Sequence, residues 1–377
     1  MSTTTVRPRA TVSAPASVTR ALVLAEARRM LLNPVPWICL ALTTWALWTV
    51  RPEPGEWPGS SYEGITPAVA PLLFGISVAV AVPFHRARHD VAPAAPVPEA
   101  HRTLARLLAA LPFVAVAAAY AVLVAWRERD LGGLWLGMEP GRTTEAFHTT
   151  AELAQPVALA LVAVALGAAV GRRTSRLVAL VPALFVLWFV VSVYWLFGMP
   201  SVTPFSVIQV QPLNLTVGPA SADPLSFPSD WLLVGHPHTS EGWQRQWVSE
   251  ALAWWHNVWL LGIATLLLAV AWPRSGRRAL LAVGAVLAVA GLVGQQVVIP
   301  CGSCSWRPWS PWPSRSWPPA APLRRTSTAR CSPAARWHRP PRSSPTRSLS
   351  SSTPTSHPTT WRRSPCCCAT PVCASSR

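Results

Sequence analysis

Seven long apolar runs constrain the fold of this 377-residue chain more than any other feature. A helix needs about 20 mostly apolar residues to cross the hydrocarbon core of a bilayer. Helices of a soluble core need a polar outer face, but the runs at 177–198 and 279–299 are apolar on every side. The sequence therefore predicts an all-α membrane protein, a polytopic bundle of six to seven transmembrane helices. The predicted spans cover roughly residues 31–50, 66–84, 104–126, 153–170, 177–198, 251–272 and 279–299.

Arginine placement predicts the orientation of these spans. With the N-terminus in the cytoplasm, the inner segments 1–30, 85–106, 171–176 and 273–278 hold fifteen Arg and three acidic residues. The outer segments then hold five Arg and the other twelve acidic residues. Cytoplasmic loops of membrane proteins carry an excess of basic residues. The sequence therefore predicts a plasma (inner) membrane protein with a cytoplasmic N-terminus.

The sequence divides into three parts. Residues 1–30 form a cytoplasmic N-terminal segment, residues 31–299 form the transmembrane domain, and residues 300–377 form a C-terminal segment. The chain from Ser17 to Leu32 is predicted to be helical, either as an interfacial helix that bends at Pro34 and Pro36 or as the start of a continuous first span. Two long outer loops, 127–150 and 199–250, are predicted, and a hairpin near 207–217 is expected in the second.

Composition excludes several classes of function. A net charge of +17 suggests a nucleic-acid binder, but 51% hydrophobic and 12% charged residues are the opposite of a disordered polycation, so no nucleic-acid partner is expected. All 32 basic residues are Arg, which excludes a P-loop lysine and a Schiff-base lysine. No Gly-x-Ser-x-Gly elbow is present. The chain is therefore predicted to have no catalytic site and no cofactor of its own.

Candidate metal ligands lack the spacing that a metal site needs. His85 and His89 are four residues apart, but the glutamate of a zinc-binding HExxH helix is missing. His236 and His238 have no acidic cluster beside them. Cys301 and Cys304 form a single CxxC without a second one at zinc-ribbon spacing. No metal site is predicted.

The most polar pair inside a predicted span is His256-Asn257. Ionisable groups inside a membrane are costly and often mark a translocation pathway, which makes this pair a candidate for gating. The alternative is an ordinary hydrogen bond between helices.

Two segments resemble the ABC-2 type permeases, the membrane subunits of ATP-driven exporters. Residues 26–37 (EARRMLLNPVPW) look like the basic inner helix and Pro-marked turn that begin the first span of that family. Residues 86–102 (RARHDVAPAAPVPEAHR) are similar to the family's first cytoplasmic loop. The likeness covers about residues 17–272, and the chain departs from the six-span pattern by adding a seventh.

This resemblance implies a transport function and a set of partners. A separate ATP-binding cassette subunit would hydrolyse ATP, and the permease would form a homodimer in the lipid bilayer. By this resemblance, five residues of the first inner loop would form the coupling surface for that subunit, flanked by Arg28 and Arg29. These five residues are Arg86, Arg88, Asp90, Glu99 and Arg102. For each arginine, the simpler interpretation is topology and binding of anionic headgroups. A non-catalytic scaffold or binding protein that acts through its outer loops is the alternative function.

The C-terminal segment 300–377 has a different composition. Residues 301–377 hold 12 Arg, 14 Pro and 17 Ser but no Asp or Glu, which cannot build an apolar core. A disordered tail is therefore predicted. A shift of reading frame near codon 300 of a GC-rich gene would give this composition, and re-sequencing the gene would test that hypothesis.

Overall fold

The computed structural model describes ten parts of the chain: residues 16–51, 62, 65–88, 97–135, 145–193, 206–208, 211, 213–219, 221–234 and 242–299. All of them fall within one compact unit, Met1–Trp309. The second unit, Ser310–Arg377, lies outside the described residues, as does the whole predicted tail from residue 300.

Helices make up most of the described chain. In chain order they are α1 (Ala16–Leu31), α2 (Pro34–Thr49), α3 (Ala70–Arg88), α4 (Glu99–Ala109), α5 (Leu111–Asp130), α6 (Thr150–Arg173), α7 (Leu177–Ser192), α8 (Glu250–Ala271) and α9 (Arg277–Val298). Five helical stretches are long and apolar enough to cross a membrane: Pro67–Ala87, Glu99–Asp130, Thr150–Arg173, Glu250–Ala271 and Arg277–Val298. They coincide with predicted spans two, three, four, six and seven. The prediction of a polytopic helical membrane fold is confirmed at this level.

Predicted span five is described only in part, because α7 has 16 residues and residues 194–198 lie outside the described part of the chain. The first span is a bent pair, in which α1 meets α2 at 57°, and counting this pair as one span raises the total to six. For residues 17–32, the bend agrees with a separate helix before the first span, and the interfacial position of that helix stays a prediction.

Local hydrogen bonds explain the bend between α1 and α2. The Asn33 side chain caps α2 by accepting from the Val35 amide at 3.1 Å. Pro34 occupies the first turn of α2, where its missing N–H costs nothing. The Trp37 indole N–H donates to the Leu31 carbonyl at 2.7 Å, which satisfies the end of α1. The side chains of this segment therefore stabilise the bend.

The core lies where α3, α6 and α8 pack in a row, with α2 and α7 on α3, α5 on α6 and α9 on α8. Glycines permit the closest of these approaches. A Cβ at Gly167 of α6 would lie 2.4 Å from the Ser77 carbonyl oxygen of α3, and one at Gly171 would lie 2.3 Å from that of Ala81. A Cβ at Gly291 of α9 would lie 2.4 Å from the Trp259 amide nitrogen of α8. Small residues at these positions therefore allow neighbouring helices to pack closely.

The loop between α7 and α8 contains a small antiparallel sheet. Its strands are β3 (Leu213–Gly218), β4 (Leu232–Val234) and β5 (Trp243–Trp247), in the order β3-β5-β4. The expected hairpin near 207–217 is wrong, because β3 pairs with β5, about thirty residues later, with Leu213 opposite Trp247. A two-residue pair, β1 (Leu134–Trp135) and β2 (Glu145–Ala146), links the ends of the loop between α5 and α6.

Candidate functional sites at the two ends of the bundle

The predicted inner segments meet at one end of the bundle, here called the arginine-rich end. Glu99 at the start of α4 forms an ion pair with Arg172 in the last turn of α6. The His85 ring in the last turn of α3 lies 3.0 Å from the Thr174 carbonyl, just after α6. Two of the four inner segments, 85–106 and 171–176, therefore share one end, and which side of the membrane it faces remains a prediction.

At this end α1 packs against α4. Glu26 of α1 lies 3.6 Å from the Arg106 guanidinium of α4 and 3.9 Å from that of Arg29. Met30, in the last turn of α1, is fully buried. The segment before the first span and the segment before the third are thus held together by charge and by apolar contact.

Three of the five predicted coupling residues have described side chains, and these three lie at this end. Arg86 is exposed on the last turn of α3 and lines a cavity. Arg102 of α4 is half-buried, and its Nε atom has no hydrogen-bond partner in the described part of the chain. Glu99 is taken up by the ion pair with Arg172. Arg88 ends α3, but its side chain lies outside the described residues, as does all of Asp90.

The cavity beside Arg86 has a volume of about 620 Å³ and is lined by residues of five helices at the arginine-rich end. Charged residues from three of them line it: Glu26 and Arg29 from α1, Arg86 from α3 and Arg106 from α4. Leu177 of α7 completes its rim. The sequence predicts Arg28 and Arg29 beside the coupling surface, but it does not predict that Arg106 belongs to this surface.

His256 and Asn257 of α8 are both buried, but they serve different contacts. The Asn257 side-chain amide donates to the Ala151 carbonyl of α6 at 2.7 Å. The His256 ring lies 3.2 Å from the Gln295 side chain of α9 and 3.1 Å from the Val207 carbonyl. The geometry matches the interhelical hydrogen bonds that the sequence left as one alternative, and a gating role stays a prediction.

A buried polar cluster lies at the opposite end of the bundle, and we call it the outer cluster: Tyr62, Glu128, His148, Thr149 and Glu152. Glu128 accepts from the His148 ring at 2.6 Å and from the His148 amide at 3.1 Å. Glu152 accepts from the Tyr62 hydroxyl at 2.7 Å and from the Thr149 amide and hydroxyl at 2.8 Å each. The Tyr62 and His148 rings are stacked with centroids 3.9 Å apart.

Burial and charge shift the titration of the outer cluster. Burial alone would lower the pKa of His148, but the hydrogen bond to Glu128 and the charges of Glu152 and Glu128 outweigh it, so this pKa is raised. Burial, with the charge and hydrogen bond of Glu152, raises the pKa of Tyr62 well above its ordinary range. The cluster therefore favours a positively charged His148 between two carboxylates and a neutral Tyr62.

Sequence reasoning missed the outer cluster because it counted Glu128 and Glu152 as loop acids at the ends of spans. One readable signal was present. The triplet spacing Thr149-x-x-Glu152 is a capping box, and the structure forms both of its hydrogen bonds at the start of α6. The approach of Tyr62 and of Glu128 to that box depends on tertiary packing and leaves no trace in the local sequence.

Known proteins offer no match: no protein-family model, curated protein or solved structure is similar to this chain. Within the described ranges, no group of three or more His, Cys, Asp or Glu side chains is placed to hold a metal ion. The geometry of the two ends is therefore what points to a function.

Proposed function

We propose that this protein is the permease subunit of an ABC-2 type transporter, which moves a substrate through the plasma membrane as a dimer with a separate ATP-binding cassette subunit. The observation that carries the proposal is the packing of α1 against α4 at the arginine-rich end. Both helices lie directly before a span, so a partner that moves them would move the spans as well.

The length of the third span supports this interpretation. The helical stretch Glu99–Asp130 has 32 residues, about 48 Å at 1.5 Å per residue. The hydrocarbon core is about 30 Å thick, so about twelve residues project beyond it. About four of these are the charged residues 127–130 at the end of α5, and the other eight correspond to residues 99–106 of α4, which carry Glu99, Arg102 and Arg106. A charged helix outside the hydrocarbon is a suitable docking element for a soluble subunit.

The connections of α1 and α4 would transmit a movement to the bundle. The helix α4 joins α5 through the single residue Ala110, and α1 joins α2 through the bend that Asn33 caps. Glu26 and Arg106 tie the two helices to each other. A subunit that binds and hydrolyses ATP at this end would therefore act on the first and third spans together.

Co-purification with an ATP-binding cassette subunit tests the proposal. The tagged full-length chain is purified from native membranes, and vanadate-sensitive ATP hydrolysis of the complex is measured. Arg86→Glu is expected to weaken the complex about tenfold, because it reverses an exposed charge on the coupling surface. Arg274→Glu, an exposed arginine in the turn before α9, is the matched control. Recovery of the chain without any such ATPase would overturn the proposal.

The second candidate is a binding protein that acts through its outer loops, and the β3-β5-β4 sheet favours it. The Arg245 guanidinium lies 4.5 Å from the Trp231 ring centre, and Phe227 stacks on Trp231 at 6.0 Å. Leu225 beside them is 74% exposed. If this surface carries the function, Leu225→Asp would abolish partner capture while ATP hydrolysis by any associated subunit stayed unchanged.

A further inference from the structure

We propose that the cavity at the arginine-rich end binds the phosphate headgroup of an anionic phospholipid from the adjacent leaflet. This inference is independent of the transport function, since it needs no ATPase subunit. The cavity is lined by Glu26, Arg29, Asn33, Arg86 and Arg106 at its polar part and by Leu32 and Leu177 at its rim.

The polar part of the cavity has an excess of positive charge. Three arginines face one carboxylate, because Glu26 is shared between Arg106 and Arg29. In the described part of the chain, no acidic side chain pairs with Arg86. Arginine guanidinium groups match phosphate oxygens in both charge and geometry. Because the three arginines come from α1, α3 and α4, an anion between them would join three separate helices.

Arg106 is held in place before any ligand arrives. Its guanidinium lies 3.6 Å from Glu26 and 5.9 Å from the centre of the Phe84 ring, and its side chain is only 12% exposed. Arg29, by contrast, has a 69% exposed side chain, and Arg86 is exposed as well. One arginine is therefore held in place beside the cavity, while the two exposed arginines have room to reorient toward a headgroup.

The rim of the cavity favours a lipid over a free phosphate. Leu32 is 71% exposed and Leu177 is 46% exposed, so exposed apolar side chains lie beside the charged ones in the lining. The exposed apolar surface continues along α2 at Ile38 and along α7 at Val178 and Phe185. Both α2 and α7 pack on α3, which carries Arg86. Acyl chains would lie on this surface while the phosphate enters the cavity.

Spin-labelled lipid measures this binding directly. The full-length chain is reconstituted in phosphatidylcholine nanodiscs with a small fraction of spin-labelled phosphatidylglycerol, and the motionally restricted fraction is measured by electron paramagnetic resonance. About 1 kcal/mol for each arginine that contacts the headgroup corresponds to about fivefold in affinity. Arg29→Gln and Arg86→Gln are each expected to weaken phosphatidylglycerol binding about fivefold, and the double variant about 25-fold. Arg274→Gln removes the same charge outside the cavity and is expected to leave binding unchanged.

The competing outcomes are separate from those of the transport experiment. If Arg274→Gln reduces binding as much as Arg86→Gln does, the effect is general surface charge and the site is overturned. If soluble glycerol phosphate displaces the spin label as well as unlabelled phosphatidylglycerol does, the cavity recognises free phosphate and the lipid assignment is overturned. Loss of ATPase association with retained lipid selectivity would overturn only the transporter proposal.

Discussion

At the scale of single residues, His148 controls how the end of the bundle opposite the arginine-rich end is held together. It lies against Glu128 and stacks on Tyr62, which in turn binds Glu152. Tyr62, Glu128 and Glu152 are buried and the His148 side chain is 6% exposed, and buried ion pairs are costly to break by removing one partner. The protonation of a single imidazole therefore affects the attachment of Tyr62, α5 and α6.

Glu128→Gln is expected to destabilise the protein by about 3 kcal/mol at mildly acidic pH. The raised pKa of His148 means that its stabilising contribution is complete below the unfolded value of about 6.5 and is lost as pH rises through the folded value. The decrease in melting temperature that Glu128→Gln causes, relative to the native chain, should thus be larger at about pH 6 than at about pH 9. Thermal unfolding followed by tryptophan fluorescence in detergent measures the melting temperature at each pH.

The control for this prediction is Glu250→Gln, which removes an exposed acid in the first turn of α8. A helix-dipole effect of at most about 1 kcal/mol is expected there, with little pH dependence between these limits. Equal destabilisation by Glu128→Gln at both pH values would show that the interaction is not governed by His148.

Asn257→Leu is expected to cost about 0.6 to 1.7 kcal/mol, the range of hydrogen bonds between membrane helices. The Asn257 side-chain amide donates a hydrogen bond to the first turn of α6, so the substitution removes one hydrogen bond between α8 and α6. Thr265→Val is the matched control, because the Thr265 hydroxyl donates only within α8, to Leu261. A change in transport without any change in unfolding would instead favour the gating role of this pair.

At the scale of helices, the contact between α3 and α6 leaves no room for side chains. Gly167→Val is expected to destabilise the protein by about 1–3 kcal/mol, because its Cβ would meet the Ser77 carbonyl oxygen. Ala118→Val, at an exposed position of α5, is the control. Thermal unfolding in the same detergent compares the two, and equal melting temperatures would show that α3 and α6 separate freely.

Apolar periodicity predicted the long helices but not their ends. Five predicted spans correspond to observed helices because an all-round apolar run has one stable form in a bilayer. The bend at Asn33 could be read from Pro34 and Pro36, but the choice between a bent and a continuous helix needed the Trp37 contact. The partner of β3 could not be read at all, since strand pairing across some thirty residues depends on the fold.

At the scale of the whole molecule, orientation is the prediction with the broadest consequence. Fifteen inner arginines against five outer ones predict that Gly276 faces the cytoplasm and that the turn near Asp230 faces outward. Green fluorescent protein inserted at Gly276 should fluoresce, and alkaline phosphatase inserted after Asp230 should be active. Activity of the phosphatase at Gly276 would reverse the assignment and place the phospholipid cavity in the other leaflet.

The candidate sites were only partly predictable from sequence. The arginines of the inner loops could be assigned to one end, because topology follows charge. Their grouping around one cavity could not, since Arg29, Arg86 and Arg106 come from three helices far apart in the chain. The outer cluster was hidden for a similar reason, because Glu128 and Glu152 look like solvated acids until tertiary packing buries them.

The close packing of α9 on α8 bears on the order in which the molecule assembles. Trp255, Trp259 and Leu266 of α8 meet glycines of α9 across a connection of only five residues. Contacts between neighbours in sequence form quickly and need little loop closure. We expect the two helices to enter the bilayer as a single hairpin and to dock on α6 afterwards. Insertion of residues 250–298 would then be a late and separable step of biogenesis. If this step failed, the earlier helices would still be inserted in the membrane.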